Sequence, residues 1–317
     1  MKEITITTNK LNHLIDPSLH IWGWEIPVYL FLGGLAAGAL LIAALAIVYE
    51  QKKKLPSAYS QLAIVAPVGL SIGMVALFLD LEYKLHVFRF YTTFQITSPM
   101  SWGSWILMLF YPFSIILTLG TLKEGWPKLY KVVAPLPVVK QLIPFCQKNL
   151  KQFAYYSIPV ATSLGIYTGI LLSAFVARPF WNSAIIAPIF LVSGISTALA
   201  LNLFFSKKPE EQNFLTKMDL IAILFEVILI ALLIIGMMTG GTQKAEALGL
   251  IMGGAYTTHF WIFFMGIGIM LPLILEIMEL KGFKVSHYLT ATLVLFGGLI
   301  FRFIMVNAGQ VSTWVNY

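Results

Sequence analysis

The sequence predicts an all-α, polytopic membrane protein with about eight transmembrane helices, and three observations carry that reading. Apolar runs of about 20 residues, the length a helix needs to cross a bilayer, recur from Trp24 to Asn307 with short polar connections between them. Mean hydropathy is +0.83 and only 11% of residues are charged, which leaves almost no polar surface for a water-soluble domain. Strict apolar/polar alternation is absent. Lipid offers backbone groups no partner outside a helix or a closed barrel, so its absence leaves helices.

The spans follow in order, each bounded by charges, by Gly, or by Pro with Asn or Ser. Trp24–Tyr49 ends at Glu50 and a run of three lysines. Leu62–Leu79 carries Pro67 and two glycines, and Ser101–Leu122 follows Ser98-Pro99 and stops at Lys123. Phe153–Val176 and Ser183–Phe205 are separated only by a short turn around Arg178–Asn182. Met218–Thr239 ends at paired glycines, Thr257–Leu280 at Lys281, and His287–Val306 is the eighth. Residues 1–23 read as a polar segment at the outer face, without the apolar core of a cleavable signal peptide. The integral domain is 24–317: a first bundle at about 24–122, a basic cytoplasmic connection at about 123–152, the remaining helices at about 153–306, and a short outer tail.

Lysine and arginine set the orientation. Four connections hold fourteen lysines: Lys52–Lys54, then six between Lys123 and Lys151, then Lys207, Lys208 and Lys217, then Lys281 and Lys284. The opposite side holds six cations, Lys2, Lys10, Lys84, Arg89, Arg178 and Lys244, while Arg302 falls inside a span. Both termini are therefore expected outside and the basic loops in the cytoplasm. This asymmetry accounts for the net charge of +7 and gives no reason to invoke nucleic acid.

Cys146 is the only cysteine, so the chain cannot hold an iron–sulfur cluster, close an internal disulfide or attach a c-type haem. His259 opens a span on the outer side and His287 one on the inner side, so they cannot share an iron. Only His20 and His86, both outer, leave room for a haem or metal. There is no Walker loop, and the glycine-rich runs inside spans read as close helix packing. Any metal centre used in redox chemistry belongs to a partner.

Three blocks are familiar together: WEIPVYLFLGGLAAGALL at Trp24–Leu41, DLEYKLHVFRFYTTFQITSPMSWGSW at Asp80–Trp105, and GIYTGILLSAFVARPFWNSAIIAPIFLVSG at Gly165–Gly194. With them the chain resembles the NrfD/PsrC-like family, the integral membrane subunit of polysulfide reductase and related respiratory complexes, over essentially all its spans. The family often has Gly-Arg-Pro after the acid that ends the second span, whereas Leu81, Glu82, Tyr83 and Lys84 follow here. The resemblance implies eight helices in two four-helix bundles, in a prokaryotic cytoplasmic (inner) membrane. It also implies a quinone, menaquinone or ubiquinone, handled at the outer face. The implied partner is an extracytoplasmic iron–sulfur subunit and, through it, a catalytic redox subunit.

Ionisable groups within spans cost about 2.5–3.5 kcal/mol at the bilayer centre on insertion scales, so they invite a functional reading. Asp80 ends the second span on the outer side, where a carboxylate beside a quinol hydroxyl accepts its proton; the plain alternative is a loop cap or a pair with Arg89. His20, shortly before Trp22, Trp24 and Glu25, is either a quinone-carbonyl partner or an ordinary solvated histidine. Tyr167, between Gly165 and Gly169, is either a quinone ligand or a hydroxyl satisfied by a backbone carbonyl. Glu25, Arg89 and Arg178 are expected to support the outer face. Asp219 and Glu276 near the inner side, Glu226 deeper, and Arg302 in the outer half of the last span form either a proton path or buried ion pairs. A pairing of Glu226 with Arg302 is the favoured form. The leading function is a membrane anchor and quinone/quinol-binding subunit of a respiratory oxidoreductase. A secondary transporter or proton channel acting alone, or a purely structural anchor, stands as the alternative.

Overall fold

The computed structural model describes residues 22–312. Eight helices among them are long and apolar enough to cross a membrane, and this is a multi-pass membrane protein. They are α1 (Glu25–Val48), α2 (Leu62–Asp80), α3 (Pro99–Gly125), α4 (Leu150–Ser173), α5 (Ile186–Leu203), α6 (Pro209–Thr239), α7 (His259–Leu280) and α8 (His287–Val311). No strand occurs among the described residues.

The eight spans coincide with the apolar runs, and the differences lie at their ends. Pro67 does not break α2: the span begins with a 3₁₀ turn at Leu62–Ile64, and Pro67 falls in the first turn of the α-helix Val65–Asp80, where its missing N–H is not needed. Helix α6 begins at Pro209 rather than near Met218, because Pro209 and the acids Glu210 and Glu211 make a favourable first turn outside the apolar run. Most of α7, His259–Met270, is wound as a π-helix and returns to α-geometry at Leu271-Pro272. The basic connection between α3 and α4 is itself helical, as Pro127–Val133 and Pro137–Lys148, each opened by its proline.

Helix α1 lies at the centre, packed on α2, α4, α5 and α8. Its small residues allow this. A methyl added to Gly38 would run into the backbone of Gly194, so α1 and α5 cross with their main chains in contact. Helices α1–α4 form one bundle and α5–α8 the other, joined along α1, α4 and α5. Helix α4, which follows the basic connection, packs on α1 and α3 as well as on α5.

Trp22 N–H donates to Gln310 Oε1 at 2.9 Å, and Gln310 Nε2 donates back to the Trp22 carbonyl at 3.0 Å. The two ends of the described chain thus share one face, here the chain-ends face. The opposite, lysine-rich face is tied by Glu211 of α6. Its Oε1 accepts from Ser57 N–H (2.9 Å), Ser57 Oγ (2.7 Å) and Ala58 N–H (3.4 Å), and its Oε2 from Ser206 Oγ (3.0 Å). Glu211 is fully buried and caps the short helix Pro56–Ser60 from a different bundle. Glu211→Ala strands these donors and is expected to cost about 3 kcal/mol, read as a clear fall in the unfolding temperature in detergent; an unchanged midpoint would contradict the assignment.

Candidate functional site

A cavity of about 490 Å³ opens between α1, α2, α3 and α4 near the chain-ends face. Most of its wall is apolar, from Ile26, Met74, Leu77, Leu107 and Leu171. Set into that wall are Tyr29 of α1, Asp80 of α2, Ser104 of α3, Tyr167 of α4 and Tyr91 of the connection between α2 and α3.

Asp80 is the last helical residue of α2, because Leu81 turns extended (φ −68°, ψ 127°) and ends the hydrogen-bond ladder. That places a half-buried carboxylate at the cavity edge. Among the described residues it makes no ion pair and no hydrogen bond. Arg89, read as its alternative partner, is exposed and unpaired in the same sense, and opens the short helix Arg89–Thr92. Glu25, in the first turn of α1, lies near enough for its charge to act on Asp80.

Tyr29 and Tyr167 are buried, at 3% and 5% exposure, yet neither hydroxyl has a hydrogen-bond partner among the described residues. The backbone-carbonyl alternative for Tyr167 is thus not met. Its position depends on α3: a methyl built on Gly103 would coincide with the Tyr167 ring, so only a glycine lets the ring lie across that helix. A buried tyrosine ordinarily finds a partner. Two unsatisfied hydroxyls and an unsatisfied carboxylate facing one apolar cavity are donors and an acceptor set for a ligand.

The connection between α2 and α3 folds over the mouth and contributes Val87, Phe90 and Tyr91. It is held by Trp102 Nε1 donating to the Ile96 carbonyl (2.7 Å) and Gln95 N–H donating to Ser101 Oγ (3.0 Å). Burial, with Tyr111 beside it, pushes the Tyr91 hydroxyl above its ordinary range, so it stays a neutral donor. Helices α2 and α3 touch only sparsely, and Val75, Phe78 and Met100 stand exposed along that gap, giving the cavity a side entrance from lipid.

His20 lies outside the described residues; two positions on, Trp22 lines the cavity. The Trp22 ring packs on Phe175 and Trp181, with centroids at 5.2 and 5.3 Å. Arg178 is not at the cavity. It is buried, and its Nη1 donates to the Ser312 carbonyl at 2.8 Å, fastening the turn between α4 and α5 to the end of α8. Trp181 Nε1, donating to the Met305 carbonyl at 2.7 Å, adds to that fastening.

A family model described as "Polysulphide reductase, NrfD" matches residues 12–313. The chain belongs to this family. A polysulfide reductase component of Wolinella succinogenes is 32% identical over 92% of this chain and 94% of its own length. Protein NrfD of Escherichia coli is 28% identical over 92% and 96%, and a selenate reductase component of Mesobacillus selenatarsenatis is 27% identical over 92% and 74%.

In this NrfD-family chain the second bundle holds its own set of buried polar groups. At the lysine-rich end, Glu279 Oε1 accepts from Thr216 Oγ1 and lies beside His287 Nδ1, both at 3.1 Å. Farther in, Asp219 and Glu276 face each other, and Ser196 Oγ donates to Asp219 Oδ1 at 2.6 Å. Glu226 comes next, and Arg302 lies beyond it; these four side chains are at most 3% exposed.

The structure corrects one pairing. Glu226 and Arg302 form no ion pair among the described residues, because α5 stands between their helices and takes the guanidinium itself. Arg302 Nη1 donates to Ser193 Oγ (3.0 Å) and Nη2 to the Phe190 carbonyl (3.2 Å), and the group lies 4.2 Å from the Phe190 ring centroid. Ser193 is left between Arg302 and Glu226. Tyr29, Tyr91, Ser104 and Gly103 were not singled out from the sequence. A usable signal existed for Tyr29, which stands one helical turn after Glu25 and so on the same face.

Proposed function

We propose that this chain is the membrane-anchor and quinone/quinol-binding subunit of a respiratory oxidoreductase complex. The observation that carries the reading is the cavity in which Asp80, Tyr29 and Tyr167 are unsatisfied and face an apolar interior open toward lipid. Its size lies within the range of about 300–1,000 Å³ typical of small-molecule sites, and an isoprenoid tail reaches it only from the bilayer. A bound quinone supplies two-electron, two-proton chemistry. Tyr29 and Tyr167 donate hydrogen bonds that orient the oxygens of the head group. Asp80 Oδ accepts the two protons of a quinol in turn and releases each at the chain-ends face, while Trp22, Ile26 and Met74 exclude water. His20, outside the described residues, is proposed as a further partner of a quinone carbonyl.

The lysine asymmetry supports an orientation with the chain-ends face outside a prokaryotic inner membrane. An iron–sulfur subunit docks there, on the connection bearing the exposed Leu85, Phe88 and Ile96, and passes electrons to a catalytic redox subunit. The reductase names of the relatives support a partner of that kind. Asp219, Glu276, Glu226 and Arg302 form a line of polar groups through the second bundle that suits proton movement.

The test is purification from native membranes in mild detergent, with extracted lipid analysed for quinone and partners identified by mass. Quinone together with an iron–sulfur subunit is expected. A protein reproducibly alone and quinone-free would overturn the reading in favour of a stand-alone transporter, with Glu226 and Arg302 as its working residues.

A further inference from the structure

We propose that a cleft on the lysine-rich face, between the end of the helix Pro137–Lys148 and the first two turns of α4, binds the phosphodiester head group of an anionic phospholipid. The cleft is lined by Lys148, Asn149, Lys151, Gln152, Tyr155 and Tyr156 and measures about 460 Å³. It is remote from the quinone cavity and independent of that reading.

Charge identifies the occupant. Lys151 Nζ is already paired with Glu50 Oε1 at 2.6 Å, a contact that holds the Glu50 carboxyl below its usual range. Lys148 has no carboxylate partner among the described residues. The cleft therefore carries one uncompensated positive charge, which a single phosphodiester neutralises. Asn149 donates its side-chain amide to the Phe145 carbonyl at 3.0 Å, which fixes the corner that presents Lys148.

Depth identifies the lipid. Tyr155 and Tyr156 stand one turn along α4 from Lys151 and Gln152, about 6 Å deeper, and both rings are exposed. This is the order of a head group, the interface and the start of the acyl chains. The helix Pro137–Lys148 continues the surface. Its Ile143 and Cys146 are buried against the protein, while Val138, Leu142 and Phe145, spaced by four and three residues, are exposed on another side. A helix with lysines beside such an apolar stripe lies in the membrane interface, and basic pockets at that level suit anionic head groups.

The experiment uses the intact protein, stripped of lipid in detergent and then given equal phosphatidylglycerol and phosphatidylcholine, with retained lipid counted by native mass spectrometry. Wild type is expected to keep phosphatidylglycerol severalfold over phosphatidylcholine. Lys148→Ala is expected to lower that retention about five-fold, Lys148→Arg to preserve it, and Lys131→Ala, on the same face but outside the cleft, to leave it unchanged. Equal retention of the two lipids would overturn the proposal, as would an equal loss in Lys131→Ala. Displacement of the bound lipid by millimolar sn-glycerol-3-phosphate would also overturn it, by making the free phosphate ester the ligand.

Discussion

Asp80→Asn is expected to lower quinol oxidation by the assembled complex by about 10²–10⁴-fold, the range a positioned proton acceptor contributes. The carboxylate has no other duty in the structure: it forms no ion pair and no hydrogen bond among the described residues, and it ends its helix without capping another. Removing its charge therefore leaves folding and assembly intact, to be checked by gel filtration and by partner co-purification. The amide keeps the shape of the site but does not take a proton near neutral pH, so quinone retention should survive while turnover does not. Loss of quinone retention together with turnover would instead make Asp80 a binding group, and full turnover would remove it from the chemistry.

Gly103→Val carries the second large effect, through packing. The added side chain would occupy the space of the Tyr167 ring, so α3 and α4 must part or the ring must swing into the cavity. Overpacking of this kind costs about 1–3 kcal/mol, and either response spoils the binding space, by displacing one of its walls or by filling it with the ring. Quinone retention is expected to fall to background in a protein that still assembles. Gly236→Ala in α6 is the matched control. Nothing lies within 4 Å of a methyl there, and alanine in a helix is more favourable than glycine by about 0.5–1 kcal/mol. Its binding should match wild type and its stability should be equal or higher. Normal quinone retention in Gly103→Val would show that Tyr167 and the α3 surface do not bound the site.

The eight spans were legible because crossing lipid demands one simple thing, a long apolar run, and each run states it locally. Their ends were less so. The extension of α6 back to Pro209 depends on a capped, charged turn outside the bilayer that hydropathy does not register. The π-winding of His259–Met270 has no periodic signature in a segment that is apolar on every side. At the site, Asp80 and Tyr167 stood out as polar groups in apolar surroundings, and the structure brings both to one cavity. Tyr29 did not, because its role comes from three other helices that close around it. Arg302 was visible as a buried cation, but its partners were not. They are a backbone carbonyl, a serine and an aromatic ring on α5, groups that recur elsewhere in the chain, and only the packing selects them.

The mutual bonds between Trp22 and Gln310 join residues 288 positions apart, and Trp22 is part of the cavity wall. Helix α1 precedes the other seven spans in the chain, yet its seat includes α8, the eighth of them. Without α8, Trp22 loses its anchor at Gln310 and the glycine-lined flank of α1 lacks part of its seat. The cavity is fully braced only when the eighth span is in place, so a chain stalled or truncated before α8 is expected to offer a ligand no finished site.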